Sequence, residues 1–414
     1  MTVSRVLGLV GLAILLQISP SVAQDEPLMF ATSAWGFPDL GSWPEAGGQT
    51  GAAAADAICQ SLASSASLGN PERFHAWISD SATDAYCRVL GLTGKKAENC
   101  GEASLPDGGP WLRTDGFPFT GSLQQLTGDS MVLVPARYDE WGTYYPSFAD
   151  AEESLTGTEE DGTWAVDFDC DGWTQSATGY RYRGRRNRTV RDWASQGGSQ
   201  CWRRGRLLCF EAPAAVDPLP DFEEIGAPVF VTSVRRSGKL GSWPEANGTQ
   251  GLEAGDEICR TLARDAGLSG PDAYVAWLST TTVDARDRLG TTGPWKRLDG
   301  VPIAADLPDL LDREIFTSIS VTEKGDYVRG PAWTGTRDSG VAVDGWTCDD
   351  WTDETALGHH GQSNETSVHW TNYGGGPCNG TLARLYCFSR NQDGPFFVDG
   401  FESGDTTAWS ETIF

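Results

Sequence analysis

Histidine and methionine are scarce in this chain of 414 residues, at four and three copies. So few imidazoles leave few general bases and few nitrogen ligands for a transition metal. The chain also lacks a Gly-x-Ser-x-Gly elbow, a phosphate-cradling glycine loop and a His-Glu-x-x-His helix, so the common signatures of acyl transfer, nucleotide binding and zinc proteolysis are missing. Acidic residues abound, but no spacing pairs them for general acid–base work, and no enzyme activity is expected. Basic residues number 31 against 57 acidic ones, a formal net charge of −26. That balance speaks against general nucleic-acid binding and favours solubility. The only long apolar run, Val6 to Ile18, is shorter than the roughly 20 residues that cross a bilayer, so the protein is not expected to span a membrane.

That run does have a reading. Residues 1–23 carry one basic residue, Arg5, then the apolar stretch, then Ser21-Val22-Ala23 as a small-residue cleavage site, the pattern of a secretory signal peptide. The mature chain is expected to begin near Gln24 and to be secreted, extracellular or held at the cell surface.

What is abundant is repetition. Gly41-Ser42-Trp43-Pro44-Glu45-Ala46 recurs as Gly241-Ser242-Trp243-Pro244-Glu245-Ala246, and the match continues through Cys59/Cys259, Trp77/Trp277 and Asp84-Ala85/Asp284-Ala285. A repeat of this length carries its own tryptophans and cysteines, so each copy is expected to fold around its own core. In both copies a short apolar strand (Met29 to Thr32; Val229 to Thr232) leads through a Gly-rich loop to a helix. That helix is marked in copy two by Ala254, Ile258, Leu262 and Ala266, with Cys259 facing the core. Gly267 and Gly270 stop it, Tyr274 to Ser279 reads as a buried strand, and a second short helix is expected near Val283 to Leu289 and Ala82 to Leu90. Short strands follow, ending in Leu382 to Phe388 and Arg206 to Phe210. Early helices and late strands predict an α+β domain. The division expected is domain one at 24–210, a Pro-, Ala- and acid-rich linker at 211–228, domain two at 229–389 and a tail at 390–414.

The ten cysteines are even in number and none lies in a Cys-x-x-Cys pair, which fits disulfides in an oxidising compartment better than a zinc site. Cys87 and Cys100 fall in an insertion found only in copy one, and pairing them is the simplest choice. Spacing leaves three connectivities open for the shared four, Cys59, Cys170, Cys201 and Cys209, and equally for Cys259, Cys348, Cys378 and Cys387.

Ala254-Gly255-Asp256-Glu257-Ile258-Cys259, Ala276-Trp277-Leu278-Ser279, Ala332-Trp333-Thr334-Gly335-Thr336, Thr347-Cys348-Asp349-Asp350-Trp351 and Leu385-Tyr386-Cys387-Phe388 together resemble the endostatin domain of vertebrate collagens and its bacterial relatives. Copy one follows with Asp56-Ala57-Ile58-Cys59, Ala76-Trp77-Ile78-Ser79, Cys170-Asp171-Gly172-Trp173 and Leu208-Cys209-Phe210, but has Leu155 where copy two has Trp333. The resemblance implies two tandem C-type-lectin-like domains. It also implies pairing of first with last cysteine, Cys59–Cys209 and Cys259–Cys387, and of the middle two, Cys170–Cys201 and Cys348–Cys378. Calcium-dependent sugar capture is not implied. The Pro-centred calcium triplet is missing, and Trp193-Ala194-Ser195 and Trp370-Thr371-Asn372 stand where lectins have Trp-Asn-Asp.

The sharpest functional signal is Arg181, Arg183, Arg185, Arg186, Arg188, Arg191, Arg203, Arg204 and Arg206, a run whose only acid is Asp192. Planar guanidinium forks bind sulfate, phosphate and carboxylate, and Tyr180, Tyr182, Trp193 and Trp202 add stacking surfaces, so an anionic glycan or an extracellular protein is the expected partner. The competing reading is that these arginines neutralise acids of the same protein, in either copy. No cofactor is required. Calcium is the one candidate ion, at Asp167, Asp169 and Asp171, although Thr178 stands where a twelfth, acidic ligand would be. In copy two His359, His360 and His369 gather near Asp349, Asp350 and Asp353 without regular ligand spacing. The repeated Trp43, Trp77, Trp173 and Trp193, with Trp243, Trp277, Trp351 and Trp370, are expected in the core rather than on a sugar platform. The expected function is noncatalytic binding outside the cell, with a structural envelope role or an unrecognised extracellular activity as alternatives.

Overall fold

The helix that follows the repeated Gly-Ser-Trp-Pro-Glu-Ala turn runs Gly51–Ser65 in copy one and Gly251–Asp265 in copy two. These come from a computed structural model that describes residues 26–129, 131–146, 153–213, 219, 225–290 and 293–391. Apolar residues three and four apart make one buried stripe, Ala254, Ile258, Cys259, Leu262 and Ala263. Ala266, read from sequence as the stripe's last member, is instead the exposed helix cap, followed by Gly267 in the left-handed region at φ +71°. Gly255 lies on the same face, where a Cβ would come within 2.6 Å of Leu278 Cδ1, so its missing side chain lets helix and strand approach.

Each helix packs on a sheet organised by the last strand of its copy. In copy one the strands are β1 (Leu28–Ala31), β2 (Phe74–Ala76), β3 (Trp111–Arg113), β4 (Pro118–Thr120), β5 (Glu153–Leu155), β6 (Tyr180–Arg185), β7 (Gly197–Gln200) and β8 (Leu208–Glu211). Copy two repeats them as β9 (Ala227–Val231), β10 (Tyr274–Ala276), β11 (Trp295–Arg297), β12 (Pro302–Ala304), β13 (Pro331–Trp333), β14 (Leu357–Gln362), β15 (Gly374–Pro377) and β16 (Arg384–Ser389). β16 runs antiparallel to β9 along one edge, and along the other it pairs with β13 in parallel and then with β10 antiparallel. The order is β12-β11-β9-β16-β13-β14-β15. In copy one the corresponding strands form two sheets, β2-β8-β1-β3-β4 and β5-β6-β7, bridged at Ser154 and Arg206. The architecture is mixed α+β. Two ends of the expected linker belong to these sheets: Glu211 closes β8, and Ala227 and Pro228 open β9. Their backbone groups are needed for pairing, which overrides the proline- and acid-rich composition.

Five disulfides cross-link the chain: Cys59–Cys209, Cys87–Cys100, Cys170–Cys201, Cys259–Cys387 and Cys348–Cys378. The first and fourth tie each long helix to its closing strand. All eight repeated tryptophans are buried, and they recur in matched contacts. Trp77 meets Trp193 at 5.1 Å and Phe210 at 5.7 Å, while Trp277 meets Trp370 at 5.3 Å and Phe388 at 5.6 Å. Gly184 and Gly361 lie under the last of these tryptophans, where a Cβ would fall 1.9 and 1.8 Å from the Trp193 and Trp370 carbonyl oxygens.

The two copies also touch. Thr189 N–H donates to the Asn364 carbonyl and Thr366 N–H to the Asn187 carbonyl, each at 3.1 Å. Residues 187–189 and 364–366 are equivalent in the repeat, so the contact has a local two-fold. Phe117 and Phe316 meet edge to face at 4.7 Å, and Val301 of copy two joins the copy-one core. Asn187 and Asn364, each the first residue of an Asn-x-Thr triplet, are 3% and 1% exposed in this contact, whereas Asn247 and Asn379, which open the other two such triplets, face solvent.

Among the described residues no helix is long and apolar enough to cross a membrane. The expected signal peptide (1–23) and all but the first two residues of the tail (390–414) lie outside the described residues.

Replacing Cys259 and Cys387 together by Ser opens a covalent loop spanning 128 residues, which is expected to cost about 5 kcal/mol through freedom regained by the unfolded chain. Guanidinium unfolding of the mature protein reads this directly. A midpoint equal to that of the unaltered chain would show that the cross-link does not stabilise copy two.

Candidate ligand surface on the arginine segment

β6 carries the first arginines of the cluster between β5 and β7, and strand alternation sends them to different fates. Tyr180 is exposed, while Arg181 is fully buried. The Arg181 Nη2 group donates to Glu153 Oε2 at 2.9 Å and to the carbonyls of Arg203 and Arg204 at 3.4 Å each. Arg183 binds the other Glu153 oxygen, and Ser199 Oγ donates to the same carboxylate at 2.9 Å. Burial works to raise the Glu153 carboxyl, but Arg181 and Arg183 outweigh it and hold the group below its ordinary range. Burial also lowers Arg181, to about 10, which leaves it charged at neutral pH.

The position of Arg181 is Gly358 in copy two, where a Cβ would lie 2.7 Å from the Trp333 ring and 2.5 Å from Cys348 Sγ. Copy one has Leu155 in place of Trp333. The smaller leucine and the long arginine thus stand where copy two has the large tryptophan and the glycine.

Most of the remaining arginines also turn inward. Arg185 Nε donates to Gln196 Oε1 at 2.9 Å, and Arg191 pairs with Glu160 at 2.9 Å. Arg186 and Arg206 are buried and flank the Tyr145 ring at 5.6 and 4.2 Å, with Arg206 donating to the Thr32 and Ser33 carbonyls. Arg188 reaches Asp192 at 2.8 Å and, across the contact between the copies, Glu365 at 2.7 Å. Burial lowers the Arg188 guanidinium, yet Glu365 and Asp192 raise it above its ordinary value. The cluster is therefore not one continuous platform.

Arg203 and Arg204 alone of the nine are exposed. They lie on the loop after Cys201, which its bridge to Cys170 anchors. Arg203 stacks on Trp202 at 5.3 Å, and Arg204 lies between Trp35 at 4.9 Å and Phe37 at 4.7 Å. Trp35 and Trp202 are 42% and 55% exposed, far more than the repeated tryptophans. Sequence reasoning missed Trp35 and Phe37. The available signal was non-repetition: Arg235 and Ser237 replace them in copy two, and the loop Asn379 to Leu382 there has neither arginine nor an aromatic ring.

The candidate calcium residues line an open cavity of about 400 Å³ together with Trp164 and Tyr180. Asp169 is occupied there: one oxygen accepts the Gly172 N–H at 3.1 Å and caps the Cys170–Trp173 turn, and the other accepts the Trp164 indole N–H at 3.0 Å. Among the described residues no group of three or more His, Cys, Asp or Glu side chains is assembled to hold a metal. In copy two His359 Nε2 lies 2.7 Å from Asn372 Oδ1 and His360 Nδ1 lies 3.3 Å from the Gly361 carbonyl, while His369 packs against the Tyr373 ring. Burial lowers both His359 and His360, which favours their neutral forms. His75 sits in β2 with Nδ1 3.6 Å from Asp56.

No family model matches this chain. No curated protein is similar to it in sequence.

Glu153→Gln removes the counter-charge of a buried guanidinium, and loss of one partner from such a pair costs about 3–5 kcal/mol. The sign of the pH effect follows from the depressed Glu153 carboxyl. Its contribution is present above the unfolded carboxylate range and disappears as pH falls through the lower folded-state value. Urea unfolding at pH 7 is expected to show the full loss, and the gap between E153Q and the unaltered chain should narrow in acid. A gap that stays constant with pH would rule out this pairing as its source.

Proposed function

We propose that this chain is a noncatalytic extracellular binding protein of two tandem C-type-lectin-like, endostatin-like domains, and that copy one holds an anionic glycan at Arg203, Arg204, Trp35 and Trp202. The observation that carries the reading is the exposed pair of guanidinium groups stacked on exposed rings. Stacking fixes the flat face of each arginine; Arg203 Nη1 lies 3.8 Å from Glu153, and the rest of the two exposed N–H edges is offered to sulfate or carboxylate oxygens. A neighbouring indole offers an apolar face to a sugar ring. The long-range field of the protein is strongly negative, so affinity must come from these short contacts rather than from net attraction. The five disulfides fit an oxidising, extracellular setting.

A structural envelope role is the second reading. It is favoured by the pairing of Arg181, Arg183, Arg188 and Arg191 with acids of the chain itself.

Retention on immobilised heparin separates the two. The mature protein is expected to bind at low salt and elute as salt rises, and Arg203→Ser with Arg204→Ser to weaken binding about tenfold or more by removing charge-assisted hydrogen bonds. Trp202→Ala should weaken it at unchanged salt dependence. All three positions are exposed, so the unfolding midpoint should hold still while binding falls. Retention unaffected by the double substitution would refute the site, and no retention at low salt would favour the structural role.

A further inference from the structure

The contact between the copies joins equivalent segments, Asn187-Arg188-Thr189 and Asn364-Glu365-Thr366. Their backbones exchange reciprocal hydrogen bonds, as two identical surfaces would across a two-fold axis. Asparagine and threonine are the same on both sides. The middle residue is not: Arg188 of copy one bonds Glu365 of copy two at 2.7 Å. Around this pair, Asn187 Nδ2 donates to Glu365 at 2.9 Å, Asn364 Nδ2 to Asp192 at 2.9 Å and Arg329 to Asp192 at 2.8 Å. Arg188, Arg329, Asp192 and Glu365 thus form a group of two cations and two anions, with Asp192 and Glu365 both buried. A further tie runs from Arg137 to Glu314 at 2.8 Å. All five disulfides lie within one copy or the other.

We propose that this contact is a charge-coded pairing surface whose partner is the other copy of the same chain, strong enough to hold the halves together without a covalent connection and built to reject a second half of its own kind. Two copy-one halves joined the same way would set Arg188 against Arg188, and two copy-two halves would set Glu365 against Glu365. The shared asparagine and threonine bonds give affinity to all three pairings, and the central charge selects the mixed one. The chain therefore closes on itself and stays monomeric.

The test uses the full mature chain with a protease site inserted between residues 213 and 225, cut after folding and run nonreduced on a sizing column with light scattering. The cut protein is expected to elute as one species holding one fragment of each half. Glu365→Arg leaves the group with three cations and one anion and is expected to weaken association by tenfold or more. Glu365→Arg with Arg188→Glu returns it to two of each sign, now segregated by copy, and co-elution should return. Near-UV circular dichroism of each cut protein reports whether the halves remain folded. If E365R unfolds copy two, the isosteric E365Q takes its place and should weaken association without unfolding. Separation of the unaltered halves, pairs made of one fragment type, undiminished association in the single variant, or no recovery in the double variant would each overturn the proposal.

Discussion

The bond between the long helix and the closing strand is the constraint on which each copy is built. Cys59 and Cys259 lie on the buried stripe of their helices, and Cys209 and Cys387 sit in the middle of β8 and β16. Those strands lie inside their sheets and pair on both sides, with β1 and β2 in copy one and with β9, β10 and β13 in copy two. Helix, central strand and tryptophan cluster are therefore held in one register, and a side chain whose neighbours are fixed in this way has little room to relax. Gly184 and Gly361, pressed against the Trp193 and Trp370 carbonyls, are the visible result.

Within that frame the copies differ where packing permits it. The pair Trp333 and Gly358 fills a space that Leu155 and Arg181 fill in copy one, and the exchange brings a buried guanidinium that requires Glu153. The cost of burying Arg181 is offset at its Nη2 group, which bonds the carboxylate and two backbone carbonyls. A change in core packing has thus altered the chemistry of the adjoining strand. The arginine richness of copy one is in large part the outcome of such pairings; Arg203, though exposed, still reaches Glu153 at 3.8 Å, and Arg204 rests on its aromatic supports.

The contact between the copies gives the duplication a physical sense. A surface that meets its own equivalent across a two-fold can acquire opposite charges on its two sides only after the two sides are encoded separately. Arg188 and Glu365 are such a pair. The hydrogen bonds of Asn187 and Asn364 into the same contact show why both polar residues are buried.

The division into two copies, the helix with its cysteine on the inner face, the buried strand after it and the inward tryptophans were all legible in the residues, because apolar spacing and exact recurrence are local properties. The connectivity of the four shared cysteines in each copy was not, since spacing admits three patterns. The observed bonds are the ones the resemblance implies. The ends of the linker were misjudged at Glu211 and Ala227 because strand pairing depends on partners far away in sequence. The arginines show the same boundary most clearly. Their number and crowding, and the nearby Asp192, could be read along the chain, but which of them face water was decided largely by Glu153 and Glu365, arriving from another strand and from the other copy. A charge is silent about its partner until folding brings the partner near, because the energy that settles its fate falls off within a few ångströms and sequence distance does not measure that separation.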